Sequence, residues 1–215
     1  MARRIRVRAG EPAVVPRSTQ RAFRGTIEFA DANVEKMKRE LLRVQREVDD
    51  RIRTLVMGFD QAGGRFAKTE RNLALLNRSK EQIDKLLLDV GYDGAMRDFL
   101  KTQPELLRAV RGSYARLGIS ANFTKIDRAA VAEIASASFD SFANIGQRGM
   151  EAIKTDLVRA ITGEADPRRF LDNFQQVLKG STLRDRAGRG MFRHALTLAD
   201  TAQAQIHRRS MVTLA

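Results

Sequence analysis

Cysteine and tryptophan are both absent from this chain of 215 residues. Without cysteine there is no disulfide framework, no thiolate metal site and no cysteine nucleophile, an absence that fits a reducing compartment. Only two histidines occur, His194 and His207. They stand thirteen positions apart, which at about 100° per helical residue puts them on different faces. With Asp200 the one acid near them, they do not form a zinc site. No serine sits in a G-x-S-x-G elbow. GFDQAGG lacks the Lys-Ser/Thr of a phosphate loop, and RDRAGRG has no strand to launch one. No catalytic residue, metal ligand or cofactor is therefore expected. No apolar run approaches the roughly 20 residues that span a bilayer. The opening MARRIRVRAGEPAVVP lacks the apolar stretch of a secretory signal, and a soluble intracellular product with no membrane partner is expected.

Acids are the other shortage: 26 face 39 basic side chains, a net charge of +13. A surplus of that size favours a polyanionic partner, nucleic acid first. The bases are not evenly spread. Residues 1–25 carry Arg3, Arg4, Arg6, Arg8, Arg17, Arg21 and Arg24 against the single acid Glu11. Pro12, Pro16, Gly10 and Gly25 interrupt any helical period there, so this stretch reads as an extended basic arm. Ile5 and Val7 alternate with Arg4, Arg6 and Arg8, the pattern of a short strand formed on a partner. A second basic stretch, KGSTLRDRAGRGMFRHA, offers Lys179, Arg184, Arg186, Arg189 and Arg193 against Asp185 alone. Arginines on such a connector can follow a phosphate backbone without reading bases. Pairing with acids of a neighbouring subunit is the structural alternative.

Between these stretches the chain is periodic. Val34, Met37, Leu41, Val44, Val48, Ile52 and Leu55 recur at steps of three and four, with charges between them and no proline or glycine from Thr26 to Met57. This spacing predicts a helix of about nine turns. After Gly58, Gly63 and Gly64, a second stripe runs through Phe66, Leu73, Leu76, Ile83, Leu87 and Val90. The two predict an antiparallel helical hairpin over 26–92. Two shorter helices should follow, the second with Pro104 in its first turn. Asp127 is expected to cap a helix reaching Gly163, with Gly146 and Gly149 bending it. Asp166-Pro167 opens another, ending at Gly180, and the last starts near Arg189. The fold class is all-α: a basic arm (1–25), a long helical hairpin (26–92) and a bundle of shorter helices (93–215).

The segment from Ile153 to Ala215 reads IKTDLVRAITGEADPRRFLDNFQQVLKG, the basic connector, then FRHALTLADTAQAQIHRRSMVTLA. Ala160 to Gly163, Phe170 to Leu178, and the block Ala195, Leu198, Ala199, Thr201 and Ala202 carry a pattern that resembles phage head-morphogenesis proteins. These are the minor head proteins similar to the F protein of phage Mu, and the match is to their helical half. Many members continue into a strand-containing portion with cysteines, which this sequence lacks, so no activity of that portion is carried over. The resemblance implies a non-enzymatic virion protein, made in the host cytoplasm and present in several copies. It would bridge capsid or portal protein, with Arg3, Arg4, Arg6, Arg8, Arg17, Lys179, Arg184, Arg186, Arg189 and Arg193 facing packaged double-stranded DNA. Ala195, Leu198, Ala202 and Ile206, at helical spacing, would form a subunit-packing seam. The rivals are a free, sequence-independent nucleic-acid-binding or packaging factor, and an enzyme whose site is assembled between subunits.

Overall fold

The computed structural model describes residues 17–119, 125–179 and 190–212, with the side chains of 125–128 and 206–212 outside that description. The described residues form seven α-helices and one small β-hairpin, so the fold is all-α. The helices are α1 (Arg17–Met57), α2 (Glu70–Asp89), α3 (Tyr92–Lys101), α4 (Gln103–Arg116), α5 (Lys125–Thr162), α6 (Pro167–Lys179) and α7 (Met191–Val212). Strands β1 (Gln61–Ala62) and β2 (Arg65–Phe66) pair antiparallel between α1 and α2.

The period of α1 sets the core. Met37, Leu41, Val44, Val48, Ile52 and Val56 are all buried on one face, each contributing about 1.5–3 kcal/mol of apolar burial. They share one cluster with Ile83 and Leu86 of α2, Tyr92 and Met96 of α3, Ile153 and Leu157 of α5, Phe170 and Phe174 of α6, and Ala195 and Ala199 of α7. Residues on both sides of the expected 92/93 boundary therefore fill the same core. The antiparallel course of α1 and α2 is plain from their cross-contacts. Asp60, just past α1, is bonded to Arg71 and Asn72 at the start of α2, whereas Arg43, further back in α1, donates through Nη2 to Val90 O at 3.4 Å just past the end of α2.

Two boundaries and one buried face differ from the sequence expectation. The basic arm does not reach residue 25: α1 begins at Arg17 and runs through Gly25 without a break. Its apolar stripe continues upstream, because Ala22 and Phe23 pack on Val110 and Tyr114 of α4. That tertiary contact outweighs the cost of about 1 kcal/mol for a mid-helix glycine. Helix α5 begins at Lys125, so Asp127 lies inside its first turn rather than capping it. The buried face of α2 is Asn72, Leu76, Ser79, Ile83 and Leu86, which leaves Leu73 exposed. The Asp166-Pro167 start holds as expected: Asp166 Oδ1 accepts from Arg168 N at 2.8 Å, capping α6.

The glycines expected to bend α5 sit where other elements come close. The helix is continuous from 125 to 162, and Gly146 lies against the Tyr92 ring while Gly149 lies against Met191. Both positions let a neighbouring helix approach closely. The α1–α2 connection turns on Gly63 and Gly64, at φ +58° and +77°, the left-handed pair of a two-residue hairpin turn. Its base is clamped by Asn72, and Phe66 N donates to Ala165 O at 3.0 Å, joining the hairpin to the α5–α6 turn.

Lys154 ties α5 to α2, donating to Asp84 at 2.6 Å and standing 2.7 Å from Glu151. Those hydrogen bonds, first to Asp84 and then to Glu151, hold its pKa above the ordinary 10.5. A raised folded-state pKa means that the stabilisation is complete below the ordinary lysine value. It is lost as pH rises through the folded value. Both acids are more than half exposed, so Lys154→Met should cost only about 1 kcal/mol at neutral pH. Chemical denaturation of the two proteins should show that difference shrinking above the lysine range.

Candidate nucleic-acid interface

The first three turns of α1 lie antiparallel on α4, and a buried polar joint fixes their register. Thr26 Oγ1 and Ser113 Oγ are 2.7 Å apart. Ser113 commits its proton to Ala109 O at 3.0 Å, so Thr26 is the donor between them. Arg116 Nη2 then bridges Ser113 Oγ at 3.0 Å and the backbone oxygen of Ala22 at 2.7 Å. Beneath this, Phe23 meets Tyr114 edge to face with ring centroids 4.9 Å apart. Burial pushes the Tyr114 phenol above its usual pKa. A guanidinium used in this way is a structural brace, and Arg116 is spent on holding the joint.

The remaining bases of this end point outward. Arg17, Arg21 and Arg24 are exposed on α1, as are Arg108 and Arg111 on α4. Arg24 pairs with Glu28 at 2.9 Å on an open surface, where such a pair is worth little. Among the described residues, no ion pair engages Arg17, Arg21, Arg108 or Arg111. Arg17, Gln20, Arg21, Arg24, Ile27 and Glu28 line a shallow groove of about 490 Å³.

These charges are placed against local stability. The first turn of α1 contains no acid, and cations near a helix N-terminus oppose its dipole by about 0.3–1 kcal/mol each. An anion laid along this end would relieve both that conflict and the mutual repulsion of the arginines. The cations are distributed over two helices rather than converging on one point.

The residues expected from sequence are divided by this arrangement. Arg17 belongs to the α1–α4 end. Lys179 closes α6 and Arg193 lies in the first turn of α7, both exposed. Arg3, Arg4, Arg6, Arg8, Arg184, Arg186 and Arg189 lie outside the described residues. Sequence reading passed over Arg108 and Arg111, although their spacing of three in RAVRGSYAR is the signal of a single basic helix face.

The expected subunit seam is corrected. Ala195 and Ala202 are buried at 0% and 1% exposure within this one chain, with Leu198 partly buried. Their small side chains let α7 dock on its own core, so this face is already covered. The side chain of Ile206 lies outside the described residues, as does that of His207. His194 is exposed on α7, and among the described residues no cluster of three metal-ligating side chains forms. No described helix is long and apolar enough to cross a membrane.

The fold and the cationic end together define a basic, all-α helical-bundle protein with an outward-facing arginine surface. No protein-family model, curated protein or solved structure matches the chain.

Proposed function

We propose that this protein is a non-enzymatic structural component of a phage head that lies against packaged double-stranded DNA and bridges capsid or portal subunits. The observation that carries the DNA contact is the set of exposed arginines on α1 and α4, Arg17, Arg21, Arg108 and Arg111, which have no ion pair among the described residues. The assignment to a head rests on the motif resemblance of residues 153–215. The rigid polar joint behind the arginines supports a surface that meets a partner without rearranging. Backbone contact of this kind is independent of base sequence.

Binding of the full chain to a duplex of arbitrary sequence should weaken steeply with salt as counterions are released. Replacing Arg17, Arg21, Arg108 and Arg111 by glutamine should flatten the slope of log K against log salt by up to about 3.6, at roughly 0.9 per phosphate contact. An unchanged slope would remove the α1–α4 end from the interface and leave the arm and the 179–193 connector. Mass spectrometry of purified particles tests the other half: a head protein is present in fixed copy number, whereas a free packaging factor is not.

A further inference from the structure

We propose that the outer face of α2 is a self-association surface, on which a second copy of this chain docks through its own α2 in antiparallel orientation. Leu73 is 44% exposed and Leu88 is 75% exposed. Either alone would be unremarked surface, but Leu73, Asn77, Glu81, Asp84 and Leu88 follow steps of four, four, three and four. That spacing places them on one stripe along the helix. The opposite face, Leu76, Ile83 and Leu86 with Asn72 and Ser79, is the one buried in the core.

The charges at the centre of the stripe identify the occupant. Lys80 and Glu81 have no ion pair among the described residues, although Asp84 and Lys85 stand at the favourable four-residue spacing from them. Asp84 is turned instead to Lys154 at 2.6 Å. A twofold axis between positions 80 and 81 sets Leu73 against Leu88 of the second copy, and Leu88 against its Leu73. In the same register Glu81 faces Lys80 of the second copy twice over, and Asn77 faces Asp84. A parallel arrangement would lay Glu81 on Glu81, which repels. The stripe is therefore complementary to itself in the antiparallel sense. Beside it, Glu81 and Lys85 edge a groove of about 370 Å³ whose walls include Leu55 and Leu86, extending the apolar surface available to the second copy.

The test uses the full chain, and the absence of native cysteine makes cross-linking unambiguous. Sedimentation over a concentration series should show a monomer–dimer equilibrium. Lys80→Glu and Glu81→Lys should each weaken it by about tenfold or more, and the double exchange should restore it, an outcome that general stickiness cannot produce. Leu73→Cys mixed with Leu88→Cys should give a covalent dimer on oxidation, while either variant alone should not. Both sites are exposed, and unchanged far-ultraviolet spectra would confirm that the variants fold. A wild-type chain that stays monomeric, a double exchange as weak as the single variants, or a single-cysteine variant that links to itself would each overturn the proposal.

Discussion

Asn72→Ala is expected to lower the stability of the whole bundle by about 3 kcal/mol. The side chain is fully buried at the start of α2 and uses both ends of its amide. Its Oδ1 accepts from Asp60 N at 2.8 Å, and its Nδ2 donates to Asp60 O at 2.9 Å and Ala67 O at 2.6 Å. These bonds close the base of the β-hairpin, where Ala67 N also donates to Asp60 O at 2.9 Å. Truncation leaves Asp60 N without an acceptor, at about 1–3 kcal/mol when shielded from water, and takes one of two donors from Asp60 O and Ala67 O, which keep Ala67 N and Thr69 N, at about 0.5–1.5 kcal/mol each. Partial hydration brings the sum down to the stated figure. Asn72→Asp keeps the shape and the acceptor but turns a negative charge on two carbonyl oxygens, so it should be no milder. Thr69→Ala, which removes the cap accepted from Asn72 N at 3.1 Å and a long hydrogen bond donated to Asp60 Oδ2 at 3.5 Å, should cost about 1 kcal/mol. Urea unfolding gives the ranking directly from midpoints at unchanged m. Hydrogen exchange at Phe66 and Ala67 should accelerate in the alanine variant. A loss below about 1 kcal/mol would mean that water replaces the clamp.

That clamp marks the limit of hydrophobic patterning. The long helices are legible because Met37, Leu41, Val44, Val48 and Ile52 repeat at the helical period with charges between them, and because Asp166-Pro167 is a local cap chemistry that needs no partner. What patterning misreads is α2. Asn72 and Ser79 are polar yet face inward, so an apolar stripe traced through Leu73 is rotated away from the true core face. Only the non-local demand of the hairpin for an amide at position 72 explains the choice. The start of α1 fails for a related reason. Gly25, with Pro16 upstream, is a poor helix signal, and the contact that overrides it lies on α4, far along the chain.

The candidate site is legible in kind and less so in place. Net charge points to a polyanion, and Arg17 was among the residues expected to meet it. Arg108 and Arg111 are brought alongside α1 only because Thr26, Ser113 and Arg116 lock α4 against it, a register that no local pattern encodes. The alanine seam of α7 shows the converse. Small residues at helical spacing announce close packing, but sequence does not say whether the other helix belongs to the same chain. Here it does.

Gly146→Ala is expected to destabilise the protein by about 1–3 kcal/mol, although alanine is the better helix former by about 1 kcal/mol. The glycine sits mid-helix in α5 with ordinary helical backbone, so conformational freedom is not its reason. A Cβ there would stand 2.6 Å from Tyr92 Cε1 and 2.8 Å from Leu87 Cδ1. Tyr92 cannot give way easily. It is fully buried, stacked on Phe142 at 4.2 Å between centroids, and edge-on to Phe192 at 5.9 Å. Its hydroxyl donates to Phe142 O at 3.2 Å. Burial, with Asp93 adding to it, pushes the phenol's pKa far up, so it remains a neutral donor. Moving the ring would disturb α3, α5 and α7 together, which is why the clash outweighs the propensity gain. Gly146→Val should cost more than alanine, since its branches enter the same space. Gly149→Ala is the internal control: its nearest neighbour is Met191 Sδ at 2.6 Å, on a flexible thioether that can swing aside. The double variant Gly146→Ala with Tyr92→Leu should lose less than the sum of its parts, because the smaller side chain removes the ring that the methyl would strike. Strict additivity, or a Gly146→Ala variant more stable than the parent, would show that α5 and α3 separate at little cost.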